Sequence, residues 1–145
     1  MERFKIIPAS YLVLIKEGKI LLLRRYSTGY EDGNYSFVAG HLDQGETFRQ
    51  AMAREAKEEA GIIVDPKKLR VVHVMQRTRN ADNGERIDVF MMADEWFGQV
   101  KNMEPERCDD LNWFSLNSLP ENTIPFLRQV LDCIKNKVFY SEFGF

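Results

Sequence analysis

Glu55, Glu58 and Glu59 lie within one short stretch that also holds Arg54. In a helix of about 3.6 residues per turn their three carboxylates project within roughly a third of the circumference. So placed, they repel one another. Glu55 and Glu59 form a like-charged i,i+4 pair, which costs a few tenths of a kcal/mol on an isolated helix. A divalent cation joining the three would relieve that repulsion, and hard oxygen donors suit Mg²⁺ or Mn²⁺. Taken alone, Glu-x-x-Glu-Glu reads more readily as a solvated helix face. The flanking residues decide between the two.

The elements that would position these acids are local. Gly40 and Gly45 frame an acidic loop that ends at Glu46, and Thr47 with Gln50 three residues later has the form of a capping box, which starts a helix. Gly61 supplies its stop. Ala53, Ala56 and Ala60 line one side and let the helix sit close against a sheet.

From Gly40 the pattern continues with five residues, Glu46, seven residues, Arg54-Glu55, the apolar Ala56, one residue, Glu58-Glu59, one residue, Gly61 and Ile62. This stretch, residues 40–62, resembles the signature box of the Nudix hydrolases. Every charged and glycine position of that box is filled. There are two departures: the apolar place inside the helix is the small Ala56, and Val38 stands where the family often has a proline.

The resemblance implies a Nudix fold, an α/β/α sandwich with a central mixed β-sheet and the box helix packed on it. It implies metal ligation by Glu55, Glu58 and Glu59, with the Gly40 carbonyl as a further ligand, and Mg²⁺ (or Mn²⁺) as cofactor. Arg54 would orient Glu55 by a salt bridge, and Glu46 would brace the loop. The general base stays open between Glu58, Glu55 and a carboxylate outside the box, for which Glu106 is the first candidate and Glu104 the second. One of Arg24 and Arg25 would meet substrate phosphate.

The activity so implied is metal-dependent hydrolysis of a nucleoside diphosphate linked to a group X. Residues 67–104 contain neither proline nor tyrosine. Family members acting on ADP-ribose or dinucleoside polyphosphates often carry one of these past the box, so the absence favours a nucleoside triphosphate, cut to monophosphate and pyrophosphate, over ADP-ribose or another nucleotide sugar. A non-catalytic nucleotide-sensing module is the competing class. Isoprenoid diphosphate isomerisation would want a catalytic cysteine near the sheet, and Cys108 and Cys133 fall in an acidic run and a late helix.

With 145 residues, the chain suits a single domain over residues 1–145. A formal charge of -2 provides no field for polymeric nucleic acid or an anionic membrane, so local cations must hold a small nucleotide. Two widely spaced cysteines argue against zinc or a disulfide framework and for reduced thiols in the cytoplasm. No apolar run is long enough to cross a bilayer. Monomer and homodimer both remain open.

Residues 9–16 and 19–25 read as two antiparallel strands about a Glu17-Gly18 turn. Alternation then puts one of Arg24 and Arg25 on the working face of the sheet. Residues 35–39 form a short strand. Residues 70–77 and 87–93 make a long hairpin whose polar loop, residues 78–86, lies where it could cover a ligand. His73, in a valine-rich strand, reads as structural. Residues 120–125 announce a last helix, capped by Thr123 or Asn122 with proline in the first turn. Its apolar stripe is Phe126, Leu127, Val130, Leu131 and Ile134. Asn122 is also a candidate for binding substrate, with several aromatics available for stacking. The aromatic tail, residues 138–145, is expected to pack back on the sheet.

Overall fold

The computed structural model describes residues 1–78 and 84–145. The loop expected to cover a ligand falls largely outside the described residues. Five strands form the central sheet in the order β5 (Val38–His41), β1 (Ile7–Val13), β7 (Glu85–Met92), β6 (Arg70–Thr78) and β9 (Tyr140–Phe143). It is mixed: β1–β7 and β6–β9 run parallel, and β1–β5 and β6–β7 antiparallel. A second, four-stranded sheet joins β2 (Ile15–Lys16), β3 (Lys19–Arg25), β4 (Tyr35–Ser36) and β8 (Cys108–Ser115).

The first hairpin departs from the sequence expectation. Residues 9–16 do not form one strand, because the chain leaves the central sheet at Leu14 and only Ile15–Lys16 pairs with β3. The turn itself is as read, with Glu17 and Gly18 both at positive φ, 53° and 75°. The cause is burial on both sides. Leu12 and Leu14 enter one core while Tyr11 and Val13 enter the other, so no alternation marks where the strand ends. Residues 35–39 divide in the same way, at Phe37, between β4 and β5.

Helix α1 (Phe48–Ala60) starts at the capping box: Thr47 Oγ1 accepts from the Gln50 amide at 3.1 Å, and Gln50 Oε1 accepts from the Thr47 amide at 2.9 Å. It stops at Gly61, whose φ of 69° is left-handed and whose amide donates to Lys57 O. Its small face, Ala56 and Ala60 with Met52 and the partly buried Ala53, packs against Leu12, Val38 and Met91. Helix α2 (Pro125–Lys135) buries Phe126, Leu127 and Val130 in the other core, with Tyr11, Met75 and Phe90. The two helices therefore flank the central sheet, a mixed α/β arrangement.

The cap of α2 differs from expectation. Ile124 occupies the N-cap without a side-chain bond, and Pro125 opens the first turn. Thr123 Oγ1 instead donates to Pro120 O at 2.7 Å. Proline already removes one of the amides that a cap would satisfy. His73 is fully buried, its Nδ1 2.8 Å from Val138 O and its Nε2 2.7 Å from Ser141 Oγ. It ties the tail to β6, where β9 adds a parallel edge strand. Among the described residues no helix is long and apolar enough to cross a membrane.

Candidate active site

A cavity of about 490 Å³ is lined by residues of both sheets and of α1. Glu55, Glu58 and Glu59 all line it, as the helical spacing requires, together with Gly40. Gly40 has a packing reason to be glycine. A Cβ built there would run into the Glu55 side chain, so the bare backbone is what lets that carboxylate lie against β5.

Arg54 organises the acids. Its Nε and Nη2 hold Glu46 in a two-point pair at 2.8 and 2.9 Å, and Nη1 reaches Glu55 at 2.7 Å and Glu58 at 3.3 Å. Nη2 also donates to His41 O at 3.1 Å. Glu46 Oε1 accepts from the Asp43 amide at 2.8 Å, so the loop before α1 is fastened at both ends. The fork geometry and the added amide hold the Glu46 carboxyl down to about 2. Glu55 goes the other way, because burial raises it against the pull of Arg54. Glu59 stands well above the usual carboxylate range, first from burial and then from the Glu55 charge, and the Ala39 amide that donates to it at 3.2 Å only partly opposes this.

That set fits a hard divalent cation in its chemistry. The donors are carboxylate oxygens with a backbone carbonyl nearby, and the Arg54 guanidinium within hydrogen-bond reach of Glu55 and Glu58 is already divided among several acids. Among the described residues no three acidic, histidine or cysteine side chains are drawn into a closed ligand set. The acids share a cavity rather than a preformed cage.

Outside the box the structure decides between Arg24 and Arg25 and moves two other candidates, Glu106 and Asn122, out of the cavity. Arg25, not Arg24, faces the cavity. Arg25 Nε donates to Tyr30 O at 2.6 Å and its guanidinium lies 5.2 Å from the Tyr30 ring centroid, whereas Arg24 turns to the opposite face and pairs with Asp109 at 2.7 Å. Glu104 lines the cavity, while Glu106 is exposed and stands outside it. The amides of Arg107 and Cys108 both donate to Glu104 O, and this turn separates the two acids. Asn122 is also outside. Its Nδ2 donates to Gly33 O at 2.6 Å and its carbonyl accepts from the Tyr35 amide, so it braces a loop.

Several lining residues, and Asp88 behind one of them, escaped the sequence reading. Arg77 on β6 and Asp88 on β7 form a buried pair at 2.7 Å, with Arg77 Nη2 donating to Tyr11 Oη at 3.2 Å and the guanidinium 4.0 Å from the Phe126 ring centroid. Burial and the Asp88 charge push the Tyr11 phenol up. His41 Nε2 lies 3.4 Å from Arg86 Nη1 on the same wall, and burial followed by the Arg86 charge pushes the imidazole down. A charged residue at an inward position of each strand of an otherwise buried hairpin was the available signal. Arg107 and Cys108, at the start of β8, also reach the cavity.

Residues 6–132 match the model of the NUDIX domain. The chain is 29% identical over 125 residues to the ADP-ribose pyrophosphatase of Methanocaldococcus jannaschii, an alignment covering 86% of this chain and 71% of that protein. It is 29% identical over 123 residues to the NAD-capped RNA hydrolase NudC of Stutzerimonas stutzeri, covering 83% of this chain and 41% of that protein, so it spans about two fifths of that relative's length. The solved MutT NUDIX hydrolase of Burkholderia pseudomallei superposes with a TM-score of 0.81 at 25% identity, covering 88% of this chain and 97% of that one.

Proposed function

This chain belongs to the Nudix hydrolase family, and from that premise we propose that it hydrolyses the phosphoanhydride of a nucleoside diphosphate linked to a group X, with a nucleoside triphosphate as the first substrate class. The observation that carries this reading is the meeting, on one cavity, of Glu55, Glu58 and Glu59 from a single helix face with Gly40 and with Arg25 from the facing sheet. A diphosphate is anionic and repels nucleophiles, so a catalyst must neutralise its oxygens and orient a water molecule.

Glu55, Glu58 and Glu59, with the Gly40 carbonyl, would hold Mg²⁺ or Mn²⁺. When bound, such an ion supplies Lewis-acid polarisation of phosphoryl oxygens and makes water a better nucleophile at neutral pH. Arg54 keeps Glu55 in place and is itself held by Glu46. Arg25 receives phosphate oxygens, positioned by the Tyr30 carbonyl and ring. The proton of the attacking water goes to Glu58, Glu55 or the carboxylate outside the box. For that last role Glu104 replaces Glu106, because Glu104 alone of the two reaches the cavity.

A second reading, in which X carries a ribose, is favoured by the relative named an ADP-ribose pyrophosphatase. Both readings are tested by incubating the purified protein and its Glu59→Gln variant with Mg²⁺ or Mn²⁺ and a panel of nucleoside triphosphates and ADP-ribose, with products resolved chromatographically. Monophosphate release that is lost in the variant supports a catalytic box. A folded Glu59→Gln protein with undiminished turnover refutes the metal role, and tight nucleotide binding without any turnover by the unmodified protein favours a sensor.

A further inference from the structure

Strands β3 and β8 pair antiparallel in regular register from Lys19↔Ser115 to Arg24↔Asp110, and the register then shifts so that Arg25 faces Cys108. Asp109 is the extra residue of this bulge. Without it Asp109 would stand directly opposite Arg25, where a cross-strand ion pair would form. With it, the alternation beyond that point is inverted. The Asp109 carboxylate turns to the other face and pairs with Arg24, and Cys108 takes the place beside Arg25 in the cavity wall. The Tyr26 amide donates to Arg107 O at 3.0 Å, which holds Arg107 next to the end of β3.

Arg25 and Arg107 therefore border one cavity. Among the described residues neither takes part in an ion pair, although four glutamates line the same space. The partners of the Arg25 guanidinium are neutral: the Tyr30 carbonyl, the Thr28 hydroxyl and the Tyr30 ring. These orient it without a direct ion pair, while its charge also acts through space on Glu59 and Asp32.

We infer that Arg25 and Arg107 form a two-cation clamp for a polyphosphate chain, kept open by the bulge at Asp109, and that it selects nucleotides with three or more phosphates over diphosphates whose X is an uncharged sugar. This deepens the preceding section and rests on its reading that the cavity accepts a nucleoside diphosphate linked to X. A terminal phosphate adds about 1.5 to 2 negative charges at neutral pH. Two arginines that border the cavity and, among the described residues, stand in no direct ion pair complement that charge, and an uncharged sugar leaves them unmatched.

The test uses Arg107→Ala and Arg107→Lys in the full chain, read by kinetics with Mg²⁺ and by calorimetric binding of inorganic tripolyphosphate in EDTA. Arg107→Ala should raise KM for a nucleoside triphosphate about tenfold, as loss of one charge-assisted contact does, while KM for ADP-ribose and kcat for both move by less than about threefold. Tripolyphosphate binding should weaken by about the same tenfold factor, and Arg107→Lys should recover most of both losses. Equal effects on the two substrates, or no effect in a protein of unchanged circular dichroism, overturn the clamp. If the unmodified protein hydrolyses no nucleotide yet binds tripolyphosphate through Arg107, the clamp stands and the proposed reaction falls. If turnover proceeds but neither KM nor tripolyphosphate binding responds to Arg107→Ala, the reaction stands and the clamp falls. Absence of tripolyphosphate binding by the unmodified protein also overturns the clamp.

Discussion

Arg54 and Glu46, eight residues apart, meet in a two-point ion pair with Nε 2.8 Å from Oε2 and Nη2 2.9 Å from Oε1. The pair fixes the arginine so that its remaining nitrogen meets Glu55 at 2.7 Å. Glu46→Gln keeps the size and removes the fork. Because partners that orient ligands typically matter ten- to a hundredfold, kcat/KM should drop by about that factor while the fold is retained. Steady-state kinetics beside circular dichroism check this, and an unchanged kcat/KM would remove Glu46 from the machinery.

Glu59 separates activity from stability. It faces the like charge of Glu55 and has one backbone donor, the Ala39 amide. Glu59→Gln should lower kcat on the order of a hundredfold or more, as loss of a metal-side acid does. In EDTA its melting temperature should equal or exceed that of the unmodified protein, since a poorly compensated carboxylate is removed. Thermal denaturation in EDTA reads this directly, and a clearly lower value would contradict the electrostatic picture.

His73 makes stability depend on pH. Burial holds its pKa below the ordinary 6.5, against the bond to Val138 O that raises it. A base whose folded pKa is depressed is stabilising above the unfolded value, and that contribution is lost as pH falls from about 6.5 through the folded pKa. The unmodified protein should therefore lose stability on acidification in that window. His73→Gln should be less stable at pH 7.5 by about 1–3 kcal/mol, from lost buried hydrogen bonds, and show a shallower slope below pH 6.5. Urea denaturation across pH 5 to 7.5 would test it; parallel slopes would exclude His73.

Adjacent arginines give a paired control. Arg25 lies in the cavity wall and Arg24 is bound to Asp109 on the other face. Arg25→Ala should raise KM for a nucleotide about tenfold, the scale of one charge-assisted contact, whereas Arg24→Ala should change it by less than about twofold. Reversed effects would mean that β3 presents its other face to substrate.

What was legible in the chain beforehand was what is local. The capping box at Thr47, the stop at Gly61 and the shared face of Glu55, Glu58 and Glu59 follow from helical geometry within a few turns, and the structure reproduces each. The structural place of His73 in a valine-rich strand was legible for a similar reason. The end of β1 was not, since unbroken burial from Ala9 to Leu14 erases the alternation that would mark a change of sheet.

The identity of the residues around the box acids depended on contacts between distant segments. Arg25 faces the cavity while Arg24 is taken up by Asp109 at a one-residue bulge of β8, Glu104 replaces Glu106 through a turn, and Asn122 is taken up by Gly33. Arg77 and Asp88 pair across two strands. The sequence by itself determined the helix and the acids it carries, because their spacing is set by one repeating backbone geometry. Only the tertiary structure decided which cations face them, because which face of a strand meets the cavity is settled by its packing against segments far away in the chain.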